Sequence, residues 1–137
     1  MDLLHAMRLA EDRDLVARQF TSDFETVFCE VVPAMQDRIA NGMQSELAVI
    51  ATHVAVMADH PDSLIARKCG DKIAGESSVR ARRVLDLEQS DPEAGQMEMC
   101  ELDFWLRSDG HRRNPGTTAD LIAAGIFVAL WMGVRFT

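Results

Sequence analysis

Asn114-Pro115-Gly116-Thr117-Thr118-Ala119-Asp120 opens onto Leu121-Ile122-Ala123-Ala124-Gly125-Ile126-Phe127-Val128-Ala129-Leu130-Trp131-Met132-Gly133-Val134. The second run is the longest apolar stretch in the chain, and its length decides the fold class. It is shorter than the roughly 20 residues with which a helix spans a bilayer, so it reads as a buried core helix and not as a membrane span. Thr117, with Asp120 three residues later, forms a variant of the capping box and places the start of this last helix at Thr117. The polar segment 108–116 in front of it is rich in turn formers and closes the preceding element.

Working outward, the rest of the chain repeats the same period. From Asp2 towards Val32, Phe20, Phe24, Val27, Phe28 and Val31 share a stripe, with Arg18, Asp23, Glu25 and Glu30 largely off it. This predicts one long amphipathic helix. Pro33 is expected to end or kink that helix, because proline removes a backbone donor and crowds the preceding turn. Asn41-Gly42 marks a turn, and a second helix runs from about Ser45 with Leu47, Ile50, Val54 and Met57 at helical intervals. Asp59-His60-Pro61-Asp62-Ser63 gathers breakers and caps before a helix opening at Leu64–Lys68, punctuated by Gly70. Ile73, Val79, Val84 and Leu87 mark a further helix with Arg80, Arg82, Arg83 and Asp86 on its wet side. Ser90-Asp91-Pro92-Glu93 is a helix start leading into Met97, Cys100 and Phe104. No alternating strand pattern occurs, nor any internal repeat. The expected fold is all-α: one domain over residues 1–137, built as a multi-helix bundle.

A chain of 137 residues with 47% hydrophobic and 26% charged residues buries one core and is not a disordered tail. Its formal net charge of -8 repels polyanions. Nucleic-acid binding is therefore not expected, and any phosphate ligand needs a local basic cluster. Cys29, Cys69 and Cys100 are an odd set without a CxxC pair, which fits reduced thiols in a cytoplasmic protein. The first residues lack the basic start and apolar stretch of a signal peptide, and no membrane association is expected. The methionines Met35, Met43, Met57, Met97, Met99 and Met132 read as core filler.

Two segments concentrate residue types that helical packing does not require. In His60-Pro61-Asp62-Ser63-Leu64-Ile65-Ala66-Arg67-Lys68, a carboxylate at a helix start is followed by two adjacent cations. Such a group suits a magnesium-phosphate ligand, with Asp62 on the metal or a hydroxyl and Arg67 or Lys68 on phosphate oxygens. The structural alternative makes Asp62 an N-cap and the two cations solvated charges. In Gly110-His111-Arg112-Arg113-Asn114-Pro115-Gly116-Thr117-Thr118-Ala119-Asp120, a basic loop runs into a helix start, where backbone donors and the helix dipole favour an anion. The lysine and glycine spacing of a Walker A loop is absent, and a well-capped interhelical turn is the competing reading. His53, Asp59, His60 and Asp62 match no standard metal-site spacing. The charges between Glu11 and Arg18 are mostly explained by pairing along one helix.

Taken together, Asp62-Ser63-Leu64-Ile65-Ala66-Arg67-Lys68 and Asn114-Pro115-Gly116-Thr117-Thr118-Ala119-Asp120-Leu121 resemble, in order and separation, the two later motifs of the triphosphoribosyl-dephospho-coenzyme A synthase family. Ala10-Glu11-Asp12-Arg13-Asp14-Leu15-Val16-Ala17-Arg18-Gln19-Phe20 is similar to an upstream helix of that family's divergent, archaeal-like branch. The resemblance spans nearly the whole chain and corresponds to the carboxy-terminal part of the longer family members. It departs at Thr117, where the commoner pattern has a second glycine. It implies an all-helical fold and transfer of the triphosphoribosyl group of ATP to the 2'-hydroxyl of 3'-dephospho-coenzyme A, with adenine leaving. It also implies ATP with Mg2+ and a CoA-like acceptor as ligands. Asp62 is then catalytic and metal-contacting; Arg67, Lys68, Arg112, Arg113, Asn114, Gly116 and Thr118 serve the phosphates, while Asp120 caps its own helix.

Two further readings compete. A non-catalytic helical binding or assembly module would pair with a second copy or with an amino-terminal half. It predicts partly exposed faces at Phe20, Phe24 and Phe28 or along Leu121–Val134. A metal-dependent hydrolase would be built on His53, Asp59 and His60.

Overall fold

Asp14, Asp62 and Asp91 each precede a run of helical period, and each caps the helix it precedes in the computed structural model, which describes Met1–Thr137. Asp14 Oδ1 accepts from the backbone of Val16 at 2.9 Å and Ala17 at 3.2 Å. Asp91 Oδ1 accepts from Ala94 N at 3.3 Å, with Pro92 in the first turn. A cap of this kind contributes about 1 kcal/mol by satisfying donors that have no partner within the helix. The fold is all-α: α1 (Leu3–Ala10), α2 (Leu15–Thr21), a π-helical turn (Val27–Val31), α3 (Val32–Ala40), α4 (Ser45–Asp59), α5 (Ser63–Cys69), α6 (Asp71–Ser90), α7 (Pro92–Arg107) and α8 (Gly116–Trp131). No helix is long and apolar enough to cross a membrane. The chain divides into two compact units, Met1–His53 with Thr117–Thr137, and Val54–Gly116.

In the first unit the single amphipathic helix expected from Asp2 to Val32 is broken twice. Asp14 starts a new helix by capping it, and after α2 the backbone passes through two consecutive left-handed residues, Asp23 at φ 55° and Phe24 at φ 58°. Such φ values are uncommon for a bulky side chain. Buried Gln19 holds the two sides of this reversal together: its Nε2 donates to Leu15 O at 3.1 Å and its Oε1 accepts from Val27 N at 3.3 Å. Pro33 does not end the helical run. It lies in the first turn of α3, directly after the wide π turn, where its missing donor is tolerated. The expected stripe is therefore divided, with Val27 and Val31 buried and Phe20, Phe24 and Phe28 exposed. Within α8, Leu121, Ile122, Gly125 and Ala129 face inward. A Cβ on Gly125 would collide with Val31 Cγ1, so the glycine is what lets α8 lie against the π turn.

Contrary to the expectation of a fully buried helix, α8 is only half core. Phe127 is 66% and Trp131 82% exposed, their ring centroids 6.4 Å apart and the rings tilted by 31°. Its start also lies one residue before the expected cap: α8 begins at Gly116, so Thr117 belongs to its first turn.

The second unit is built around a hairpin of α6 and α7. Small buried residues on α6, Ala74, Ser77, Ser78 and Ala81, allow close approach of its neighbours. The core unites Val54, Met57, Ala81, Val84 and Leu102. Ser78, buried here, satisfies its hydroxyl by donating to Met57 O at 2.6 Å. Gly70, at φ +92°, makes the turn from α5 to α6, a conformation that costs only glycine nothing.

Candidate functional site

The first motif and the part of the second that ends at Gly116 meet in the second unit, where the loop 108–116 lies along the short helix α5. At the start of α5, Asp62 is 2% exposed, and its Oδ1 accepts from Leu64 N at 2.9 Å and Ile65 N at 3.0 Å. Leu64 in turn receives the loop. A Cβ on Gly116 would stand 2.5 Å from Leu64 Cδ2, so only a glycine lets the loop's last residue sit there without a shift. At the other end of α5, Arg112 Nη2 donates to Lys68 O at 3.0 Å, and the thiol of Cys69 donates to Arg112 O at 3.3 Å. The first contact gives a partner to one of the helix's last carbonyls, which have none within the helix, and the second serves a carbonyl of the loop.

Arg112 and Arg113, adjacent in sequence, are thus held by different elements. Arg112 reaches α5, and its Nη1 lies 4.0 Å from Asp109 Oδ2. Arg113 turns back onto α7, where its Nη1 donates to Ser108 Oγ at 2.9 Å and to Trp105 O at 3.3 Å, and its guanidinium stacks 4.5 Å from the Trp105 ring centroid. Within the loop, Asn114 is exposed and its backbone oxygen accepts from Gly116 N at 2.9 Å.

Arg67 and Lys68 occupy the last turn of α5, both exposed and neither in an ion pair. Cations there complement the negative end of the helix dipole, and their ends remain available to an anion. Asp62, Arg67, Lys68, Arg112, Arg113, Asn114 and Gly116 therefore all belong to one unit. Thr118 belongs to the other, buried in the first turn of α8. Thr117, which replaces the glycine of the commoner pattern, is also buried and has no left-handed backbone. The helical geometry there does not call for glycine.

No three His, Cys, Asp or Glu side chains come together as a metal-binding group, so the set built from His53, Asp59 and His60 does not form. Asp59 instead pairs with Arg82. The same observation bears on magnesium. Asp62 belongs to no such group and its Oδ1 serves two backbone donors, so any magnesium beside it would take most of its ligands from nucleotide phosphates and water. The charges upstream are local: Arg13 donates to Leu9 O at 3.1 Å and Arg18 to Glu11 O at 3.1 Å.

Sequence reasoning missed Trp105, which touches the loop through Arg113, and the seat that Leu64 gives Gly116. Neither follows from periodicity. A tryptophan near the end of an amphipathic helix carries no signal of what will stack on it.

Comparison with curated proteins gives no match, and neither does comparison with solved structures. Over residues 1–135, however, the chain matches the family described as ATP:dephospho-CoA triphosphoribosyl transferase, and with nearly its whole length covered it belongs to that family.

Proposed function

We propose that this chain takes part in transferring the triphosphoribosyl group of magnesium-ATP to 3'-dephospho-coenzyme A, and that α5 with the loop laid along it is the triphosphate side of the site. The observation that carries this reading is the interlocking of the two motifs through Arg112 with Lys68, Cys69 with Arg112 and Gly116 with Leu64, which leaves Arg67 and Lys68 exposed beside them. In the reaction the bond from ribose C1' to the adenine nitrogen breaks, a bond from C1' to the acceptor's 2'-oxygen forms, the hydroxyl proton is removed and adenine leaves protonated. Charge builds on the ribose as adenine departs. Arg67 and Lys68 hold phosphate oxygens, while Arg112, Arg113, Asn114 and Gly116 keep the loop in register with them, and Thr118 anchors the helix that follows. Asp62 supplies negative charge at the start of α5 to a ribose carrying oxocarbenium character, in surroundings with little water to screen it. Magnesium enters as part of the nucleotide substrate. The chain corresponds in this reading to the carboxy-terminal part of a divergent family member that works in the cytoplasm.

The test is adenine release from magnesium-ATP, measured with and without 3'-dephospho-coenzyme A. Acceptor-dependent release is expected, and Arg67→Ala should raise the KM for magnesium-ATP roughly tenfold, the equivalent of about 1.4 kcal/mol. Release that ignores the acceptor, or a folded Arg67→Ala protein with unchanged kinetics, would overturn the assignment.

A second reading, the non-catalytic assembly module, is favoured by one observation. Phe127, Leu130, Trp131 and Met132 are all exposed around the end of α8. Apolar groups so grouped are typical of a surface that another chain covers. Light scattering decides: a concentration-dependent dimer abolished by Trp131→Ser supports it, and a monomer at all concentrations counts against it.

A further inference from the structure

The loop between α7 and α8 carries two arginines, and the structure separates their tasks. Arg112 ties the loop to the end of α5. Arg113 is drawn the other way, and what receives it is an aromatic face prepared in advance. Trp105 lies under the guanidinium of Arg80 as well, 4.7 Å from its ring centroid, and Arg80 is itself fixed by Glu76, whose Oε1 accepts from Nε at 3.1 Å and from Nη2 at 2.9 Å. Ser108 donates to Trp105 O at 2.7 Å and accepts from Arg113, which closes the end of α7 onto the loop. Arg113 Nε is buried and makes no hydrogen bond. A buried donor without an acceptor is costly, and the indole face is the group that stabilises the guanidinium there; a cation over tryptophan is worth most where water is excluded.

We propose that Trp105 is a positioning residue: by holding Arg113 it sets the loop 109–116 so that Arg112 reaches Lys68 and Gly116 reaches Leu64, and through them it sets the cations that face the nucleotide's phosphates. This rests on the transferase reading for its purpose but not for its geometry. Nothing in the proposal requires Trp105 to touch substrate. Its effect passes through Arg113.

The experiment compares the full chain with Trp105→Phe, which keeps an aromatic face, and with Trp105→Leu, which does not. The first readout is amide hydrogen exchange. Arg112, Asn114 and Gly116 each donate a turn hydrogen bond within the loop, while Val84 lies in the core of α6. Trp105→Leu is expected to speed exchange at the three loop amides about tenfold more than at Val84, and Trp105→Phe to restore most of the difference. The second readout is the split between KM for magnesium-ATP and kcat for adenine release. A variant part of which is irreversibly misfolded has fewer active molecules, so its apparent kcat falls and its KM stays; reversible unfolding would itself raise KM, so circular dichroism at the assay temperature must show both variants fully folded. A loosened loop raises KM, by roughly tenfold for Trp105→Leu and under about threefold for Trp105→Phe. Loop amides that exchange as in the wild type in Trp105→Leu would sink the clamp, whatever the reaction. Faster loop exchange with KM unchanged and only kcat reduced would reduce Trp105 to a structural residue. No adenine release from the wild type would overturn the transferase reading, and with it the clamp's catalytic purpose, while the exchange result still decides the clamp itself.

Discussion

Gly116 and Gly125 both stand in α8, and at both a neighbouring side chain occupies the place where a Cβ would go. They serve different ends. Gly125 belongs to the first unit, where the neighbour is Val31, buried in the π turn and stiff because its side chain branches at Cβ. Gly116 belongs to the second unit, where the neighbour is Leu64 Cδ2, the far end of a flexible and only partly buried side chain. The first contact fixes a core, and the second brings one motif of the candidate site against the other. A missing side chain can thus be a requirement of stability in one place and of site geometry in another, and the neighbour's stiffness tells which.

Substitutions that add back the missing carbon sharpen this contrast. Gly125→Ala should show the largest effect, a loss of about 1–3 kcal/mol from overpacking, despite the helix preference of about 1 kcal/mol for alanine over glycine. The midpoint of urea unfolding reads it. Val31→Ala in the same chain should return part of the loss, and if the two costs simply add, the contact is not what the glycine serves.

Next in size is Asp62. Asp62→Ala removes the cap of α5 and should lower stability by about 1 kcal/mol, whereas Asp62→Asn keeps an accepting oxygen and should cost only a few tenths. Adenine release should be lost in both. Asp62→Asn with wild-type turnover would leave Asp62 as a cap alone.

Gly116→Ala should change stability far less than Gly125→Ala, within about 1 kcal/mol, because Leu64 can swing aside. Its signature is kinetic: a raised KM for magnesium-ATP that Leu64→Ala reverses. A Gly116→Ala protein as unstable as Gly125→Ala would erase the distinction between the two glycines.

What the sequence disclosed, and what it hid, follows the same division between local and long-range causes. The starts of α5 and α7 are set by Asp62 and by Asp91 with Pro92, residues whose capping chemistry acts within a single turn. Helical period gave the all-α class and the position of α4. The break after α2 was not legible, because a left-handed Phe24 has no local signature and depends on Gln19 bridging from Leu15 to Val27. The unbroken apolar run 121–134 also read as core throughout, since a stretch without polar residues does not mark which side of its helix faces water, and so Phe127 and Trp131 were taken as buried. For the site, both motifs were visible as segments. Which of their cations are engaged was not, since that depends on contacts between Arg112 and Lys68 and between Arg113 and Trp105 that no spacing rule predicts.

The chain has two tryptophans and no tyrosine, and the fold puts the two indoles in unlike surroundings. Trp105 lies partly buried beneath two guanidinium groups, whereas Trp131 stands in water at the end of α8. Their emission therefore separates by region without any label attached. Light from an indole in water is shifted to the red and open to quenching by a neutral solute such as acrylamide, while one covered by side chains is partly shielded from collision. Single-tryptophan variants turn the native protein into two optical gauges, one sensing whether the end of α8 becomes covered and the other sensing the hold on the loop.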